Sequence, residues 1–356
     1  MPRAAGAPSG PPGRGGRWFG HVVLAFGLLA LLLPVLSPGP DADVWWHLRA
    51  GADFLAGRPG MFVESWSFTA AGTPWVNHEW LAEAFFALGE RFGGDVGVIL
   101  LATFLVLGTA LLVARTALRE KVPLPVVGAL LAVAPLVMGD RLVPRPHLFS
   151  YFLLALTLER FGAARRGEAS WWWLPLIQLA WTNAHGPVVG LGVMTLLLLG
   201  GGTGWRARLP VLAAVLVASL VHPSGFRALT DYLAHLGGAG LYRQVVQEWQ
   251  PILDPTQARL PGRLPTLVLA ALTFLALCVS LIGGRPWPRW GLALLLAGLC
   301  AGPFLAARNR DFLAIAALPV LALLSGPWPS PRKGWRVPIR TAGALITAMA
   351  LVLVAV

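Results

Sequence analysis

Apolar runs recur from residue 19 to the last residue of this chain, with short clusters of Arg and Lys between them. A chain patterned in this way must place most of its length out of water. The runs fall near 19–38, 96–114, 122–139, 146–161, 171–183, 186–202, 207–221, 264–284, 287–306, 311–326 and 339–356. Read together, they predict an all-α, polytopic membrane protein with about 11 transmembrane helices. Several runs are shorter than the roughly 20 residues that cross a bilayer unaided, so their ends must be polar or the bilayer locally thin. The first run has no small-x-small cleavage site before Asp41 and reads as a span, not a signal peptide.

Composition narrows the function classes. Only 12% of residues are charged, against about a quarter in soluble domains. The net charge of +12 would suit nucleic acid, but the basic residues sit between apolar runs and form no stripe with interleaved aromatics, which argues for no nucleic-acid partner. Cys278 and Cys300 both lie inside apolar runs, which excludes a disulfide framework or a Cys zinc site. Lys/Arg bias sets the orientation. It places the N-terminus and the clusters Arg115/Arg119/Lys121, Arg160/Arg165/Arg166, Arg206/Arg208, Arg285/Arg289 and Arg332/Lys333/Arg336/Arg340 on the cytoplasmic side. The organisation that follows is a disordered cytoplasmic tail at 1–18, a transmembrane module at 19–326, and a basic loop with a last span at 327–356. Outer loops occupy 39–95 and 222–263. The last run ends without a polar flank, so a truncated version of a longer chain is expected.

On this topology the outer side collects 13 of the 16 acids and six of the seven His. Loop 39–95 is the richest part, with apolar residues at helical spacing over 44–57 and 81–92 that predict two interfacial helices anchored by Trp. Asp41 and Asp43 open it as a compact carboxylate pair. They serve either as helix N-caps or as a general base or half of a divalent-metal site, with Mg or Mn as the candidate ion. His47 follows within the same string, and His78-Glu79 lacks the second His of a zincin motif because position 82 is Ala. A structural hydrogen bond and a substrate contact fit His78 equally.

Arg141, Arg145 and His147 at one outer turn, and Arg308 and Arg310 at another, suit phosphate or headgroup contact. Asn183 and His185 break an apolar run in Trp181-Thr-Asn-Ala-His-Gly-Pro187, and His222-Pro-Ser-Gly225 repeats the arrangement. Glu248 and Trp249 add an acid and a ring to the same side, the pairing a sugar asks for.

The strings Asp41-Ala-Asp-Val-Trp-Trp-His-Leu48, Ser67-Phe-Thr-Ala-Ala-Gly-Thr-Pro-Trp75, Asn77-His-Glu-Trp80, Arg145-Pro-His-Leu-Phe149 and Trp181-Thr-Asn-Ala-His-Gly186, in this order after a first span, resemble the GT-C superfamily of integral-membrane glycosyltransferases. The closest branch in character is the bacterial, mannosyltransferase-like one that uses polyprenyl-phosphate-linked sugars. The resemblance implies an inner-membrane enzyme in which Asp43 or Asp41 deprotonates an acceptor hydroxyl or binds a metal. It implies a polyprenyl-phosphate sugar donor, an envelope glycan, lipid or protein acceptor, and the lipid bilayer as partners. His47, His78, Glu79, Arg141, Arg145, His147, Asn183, His185, His222, Glu248, Trp249, Arg308 and Arg310 form the candidate substrate-binding set. A transporter or flippase of a lipid-linked or anionic substrate, and a non-catalytic scaffold of an envelope-assembly complex, are the competing readings.

Overall fold

The computed structural model describes residues 14–37, 41–58, 62–237, 245–282 and 289–325. The start of the expected tail, Arg285, the cluster Arg332–Arg340 and the expected span 339–356 lie outside them. Twelve α-helices run through the described residues. They are α1 (Arg14–Leu36), α2 (Asp43–Leu55), α3 (Trp80–Arg119), α4 (Leu124–Met138), α5 (His147–Arg165) and α6 (Trp173–Ala184). Then come α7 (Pro187–Gly200), α8 (Leu209–Ala218), α9 (Arg227–Gly237), α10 (Arg263–Ile282), α11 (Trp290–Leu305) and α12 (Arg310–Ser325).

The bundle is organised around α3, α5 and α12. Helix α12 touches α3, α4, α5, α10 and α11, and Leu313 through Leu318 along it are all buried. Helix α3 is continuous except at Gly94, where non-helical backbone angles kink it. Its first part, before the kink, packs on α2, and its later part runs beside α1 and α5.

The α2–α3 contact places the site. Gly51 sits one turn after His47, on the same face of α2, and a Cβ there would lie 2.1 Å from the Glu83 carbonyl oxygen. Only a residue without a side chain lets the two backbones approach this closely. His47 and Glu83 consequently face each other across the gap.

The eleven-span, polytopic reading is overturned. Among the described residues four helices are long and apolar enough to cross a membrane: Trp18–Leu36, Trp80–Arg119, Leu124–Arg141 and Arg263–Ile282. Other apolar runs become helices of 10 to 16 residues, and a run of that length is better explained by burial in a core than by crossing. Much of their hydrophobicity is spent on one another: Leu174, Ile177 and Trp181 of α6, Met194, Leu197 and Leu198 of α7, and Leu292 and Leu296 of α11 are all buried. Placement in the cytoplasmic (inner) membrane with an inside N-terminus rested on alternating sides through eleven crossings, and it falls with them. The two expected interfacial helices are also corrected. Residues 44–55 fall in α2, which lies against α3 and ends at Leu55, and residues 81–92 are the opening of α3 itself.

Candidate metal centre

His47 projects from the first turns of α2, while Glu79 caps and Glu83 begins α3. The His47 Nδ1 lies 3.0 Å from Glu83 Oε1 and 3.8 Å from Glu79 Oε2. One donor atom from each of the three residues falls within 4.8 Å of the others. Around an ion held at about 2.1 Å, neighbouring ligand atoms are roughly 3.0 to 3.4 Å apart, so modest side-chain adjustment brings the set to coordination distance. The three side chains can hold a divalent cation.

Their surroundings fit such an ion. Glu83 is fully buried, and its only ion-pair partner among the described residues is His47. The Asn77 side-chain amide donates to its second oxygen at 2.5 Å. Burial pushes the Glu83 carboxyl up to about 8, with the Asn77 hydrogen bond opposing, and a bound cation would favour its ionised form. Burial pushes the Glu79 carboxyl up to about 7, and Glu83 adds to the rise against the pull of His47, Arg308 and Arg145. Burial likewise holds the His47 imidazole below its usual range, in spite of the carboxylates Glu79, Asp43 and Asp41. A neutral imidazole is the form that ligates. Three protein ligands would leave coordination positions open, at which a bound cation would polarise a water or an anionic group.

Further polar groups close around Glu79. His185 Nε2 lies 3.3 Å from Glu79 Oε1 and His78 Nε2 3.7 Å from the same atom. The local sequence explains how His185 arrives there. Ala184 ends α6, Gly186 turns the chain at φ +75°, and Pro187 starts α7. A Cβ on Gly186 would meet the Tyr232 ring at 2.4 Å. Asn183 accepts a hydrogen bond from the Trp80 indole at 3.0 Å and donates to the Leu179 and Val221 carbonyls. It is therefore part of the scaffold.

Asp41 and Asp43 do not join the metal set. The Arg145 guanidinium binds Asp41 with two N–H groups and lies 3.0 Å from Asp43 Oδ2. Burial pushes the Asp41 carboxyl up, but the hydrogen-bonded Arg145 outweighs it and holds the group below the usual carboxylate range. The raised value expected of a general base is absent there. Among the described residues the three mutually close ligand groups are His47, Glu79 and Glu83, and Asp41 and Asp43 are not among them.

The outer arginines are taken by this chain's own carboxylates. Arg141 pairs with Asp311 at 3.2 Å and with Glu248, and the Tyr151 hydroxyl also donates to Asp311. Arg308 pairs with Glu248 at 3.3 Å and lies over the Trp249 ring at 4.6 Å. Arg310 pairs with Asp140 at 2.7 Å. His147 donates through Nε2 to the Arg141 carbonyl at 2.7 Å. His222 accepts from the Ser224 amide through Nδ1 and borders an open groove of about 650 Å³ with Trp80, Asn183 and Val221. Burial pushes its imidazole down to about 4.

The molecule therefore brings His47, His78, Glu79 and His185 together, with Asp41, Asp43 and Arg145 beside them. It gathers Arg141, Glu248, Trp249 and Arg308 into a neighbouring cluster, which Arg310 borders 3.9 Å from Asp311, and leaves His222 outside both. Glu83, Asn77, Ser150, Tyr151 and Asp311 are the participants that sequence reasoning missed. The signal for the first was available: Glu79 and Glu83 stand four residues apart where a helix begins, one turn above each other on one face.

No family model, no curated protein and no solved structure matches this chain. The resemblance to GT-C glycosyltransferases is overturned on this finding together with the four span-length helices. The expected sugar transfer goes with it, as do the polyprenyl-phosphate donor, the envelope acceptor and the bilayer-embedded complex. The flippase and scaffold readings, built on the same polytopic topology, are corrected with it. The arginines assigned to a donor phosphate are engaged internally by Asp41, Asp43, Asp140, Glu248 and Asp311.

Proposed function

We propose that this chain is a metal-binding helical protein whose ion sits between α2 and α3, held by His47, Glu79 and Glu83. The observation that carries the reading is the buried, mutually close donor set on two helices that Gly51 allows to touch. One imidazole and two carboxylates favour a transition ion such as Mn²⁺ over Mg²⁺, which keeps its waters and prefers oxygen alone. Charge balance supports the same reading. Asp41, Asp43, Glu248 and Asp311 are matched by Arg141, Arg145, Arg308 and Arg310. Among the described residues Glu79 and Glu83 have no guanidinium of their own, burial raises them to about 7 and about 8, and a divalent cation would take the place of their protons. Within this site we assign Arg145, through Asp41 and Asp43, the task of fixing the start of α2 and with it His47.

The test is titration of the purified full chain with Mn²⁺ and Mg²⁺ by calorimetry, with free Mn²⁺ followed by electron paramagnetic resonance. One Mn²⁺ per chain is expected, with Mg²⁺ weaker by about tenfold or more. His47→Ala with Glu83→Gln should abolish binding. Equal Mn²⁺ affinity in that double variant sinks the proposal.

A further inference from the structure

Two buried hydrogen bonds lead to His185, whose other ring nitrogen faces the Glu79 carboxylate. The Trp181 indole N–H donates to Ser150 Oγ at 2.8 Å, and Ser150 Oγ lies 2.7 Å from His185 Nδ1. On its far side, His185 Nε2 lies 3.3 Å from Glu79 Oε1. Trp181, Ser150 and His185 are all buried, the first two completely.

Donor chemistry fixes the direction of the line. Indole can only donate, so the Ser150 oxygen accepts from Trp181. The one hydroxyl proton then has two acceptors in view: His185 Nδ1 at 2.7 Å and the His185 carbonyl at 3.5 Å. The second is beyond ordinary O–H···O distance, so the proton goes to Nδ1. A neutral ring that accepts at Nδ1 carries its own hydrogen on Nε2, and that nitrogen faces Glu79.

We propose that Trp181, Ser150 and His185 are a positioning relay that orients Glu79. His185 Nε2–H holds Oε1, which turns Oε2 toward His47 and the ion. The relay rests on the metal reading above. Serine, histidine and glutamate in this order also make a nucleophilic triad, but this hydroxyl is fully buried and already accepts an indole N–H, so it positions and does not attack. Partners of ligating groups in other metal sites change affinity by about 10- to 100-fold when removed, and an effect of that size is expected here.

Two measurements on the full chain test it. Long-range ¹H–¹⁵N spectra of the metal-free protein should show His185 as the Nε2–H form. Ser150→Ala should raise the Mn²⁺ dissociation constant by about tenfold or more and shift His185 toward a mixture of tautomers, which loss of packing alone would not do. An Nδ1–H signature in the unaltered chain, or unchanged Mn²⁺ affinity in Ser150→Ala, overturns the relay; the first readout needs no variant to fold. If the unaltered chain binds no Mn²⁺ yet His185 is Nε2–H, the metal reading fails while the hydrogen-bond assignment stands. If it binds Mn²⁺ with His185 as Nδ1–H, the relay alone fails.

Discussion

Glu79 and Glu83 are the residues at which protons would compete with a bound cation. Burial raises the Glu79 carboxyl to about 7 and the Glu83 carboxyl to about 8, so at pH 6 an incoming cation must displace a proton from each. Mn²⁺ affinity should therefore fall about tenfold from pH 8 to 7 and by up to about a hundredfold per pH unit below that. In the metal-free chain the sign for stability is the opposite. Both folded values exceed the unfolded one of 4.5, so the contribution of both groups is fully present at low pH and is lost as pH rises through about 7 to 8. The increase in Tm on adding Mn²⁺ should be larger at pH 8 than at pH 6. An equal increase at both would show that Glu79 does not titrate with the metal.

The element that matters most is α2, whose register against α3 is set by one glycine. In Gly51→Ala the new methyl would stand 2.1 Å from the Glu83 carbonyl oxygen and 2.9 Å from the Ala87 Cβ. The helices must part, at a cost of about 1–3 kcal/mol, and His47 should move away from Glu83. Thermal denaturation and Mn²⁺ titration of this variant should both show loss. A variant with normal stability and normal affinity would mean that the approach at Gly51 is not needed. Gly186→Ala should cost about 1–3 kcal/mol of strain at φ +75°, added to the collision with Tyr232, and it should disturb His185 most.

Some of this was legible in the chain. The spacing of Leu81, Phe85, Leu88 and Phe92 announced a helix, and the Gly-Pro pair after His185 announced the turn between α6 and α7. His47, Glu79 and His185 stood out as polar residues beside apolar runs. What the runs could not disclose was their partner. Trp181 and Leu197 would be equally apolar facing lipid or facing each other, and period alone does not separate the two. Nor could any local pattern tell that Arg145 would reach 104 residues back to Asp41, which turned an apparent base into one half of an ion pair.

At the scale of the whole molecule, Arg141 is the tie between distant parts of the chain. It joins the turn after α4 to Asp311 at the start of α12 and to Glu248 between α9 and α10. Arg141→Met should cost about 3 kcal/mol, because buried Asp311 would keep only the more distant Arg310, at 3.9 Å, and the Tyr151 hydroxyl. The loss should appear as one lowered unfolding transition of the full chain, followed by circular dichroism. A variant that melts at the parent temperature would show the pair to be dispensable.

The indole rings around the proposed metal site have a consequence outside structure. Trp46 lies with its ring centroid 3.9 Å from that of His47, Trp80 follows Glu79 directly, and Trp181 ends the hydrogen-bond line to His185. The centre is thereby wired to fluorescent groups of its own. A paramagnetic ion bound there should dim part of the chain's emission, whereas a closed-shell ion of the same charge should leave it bright, so that occupancy can be read with light and no added label.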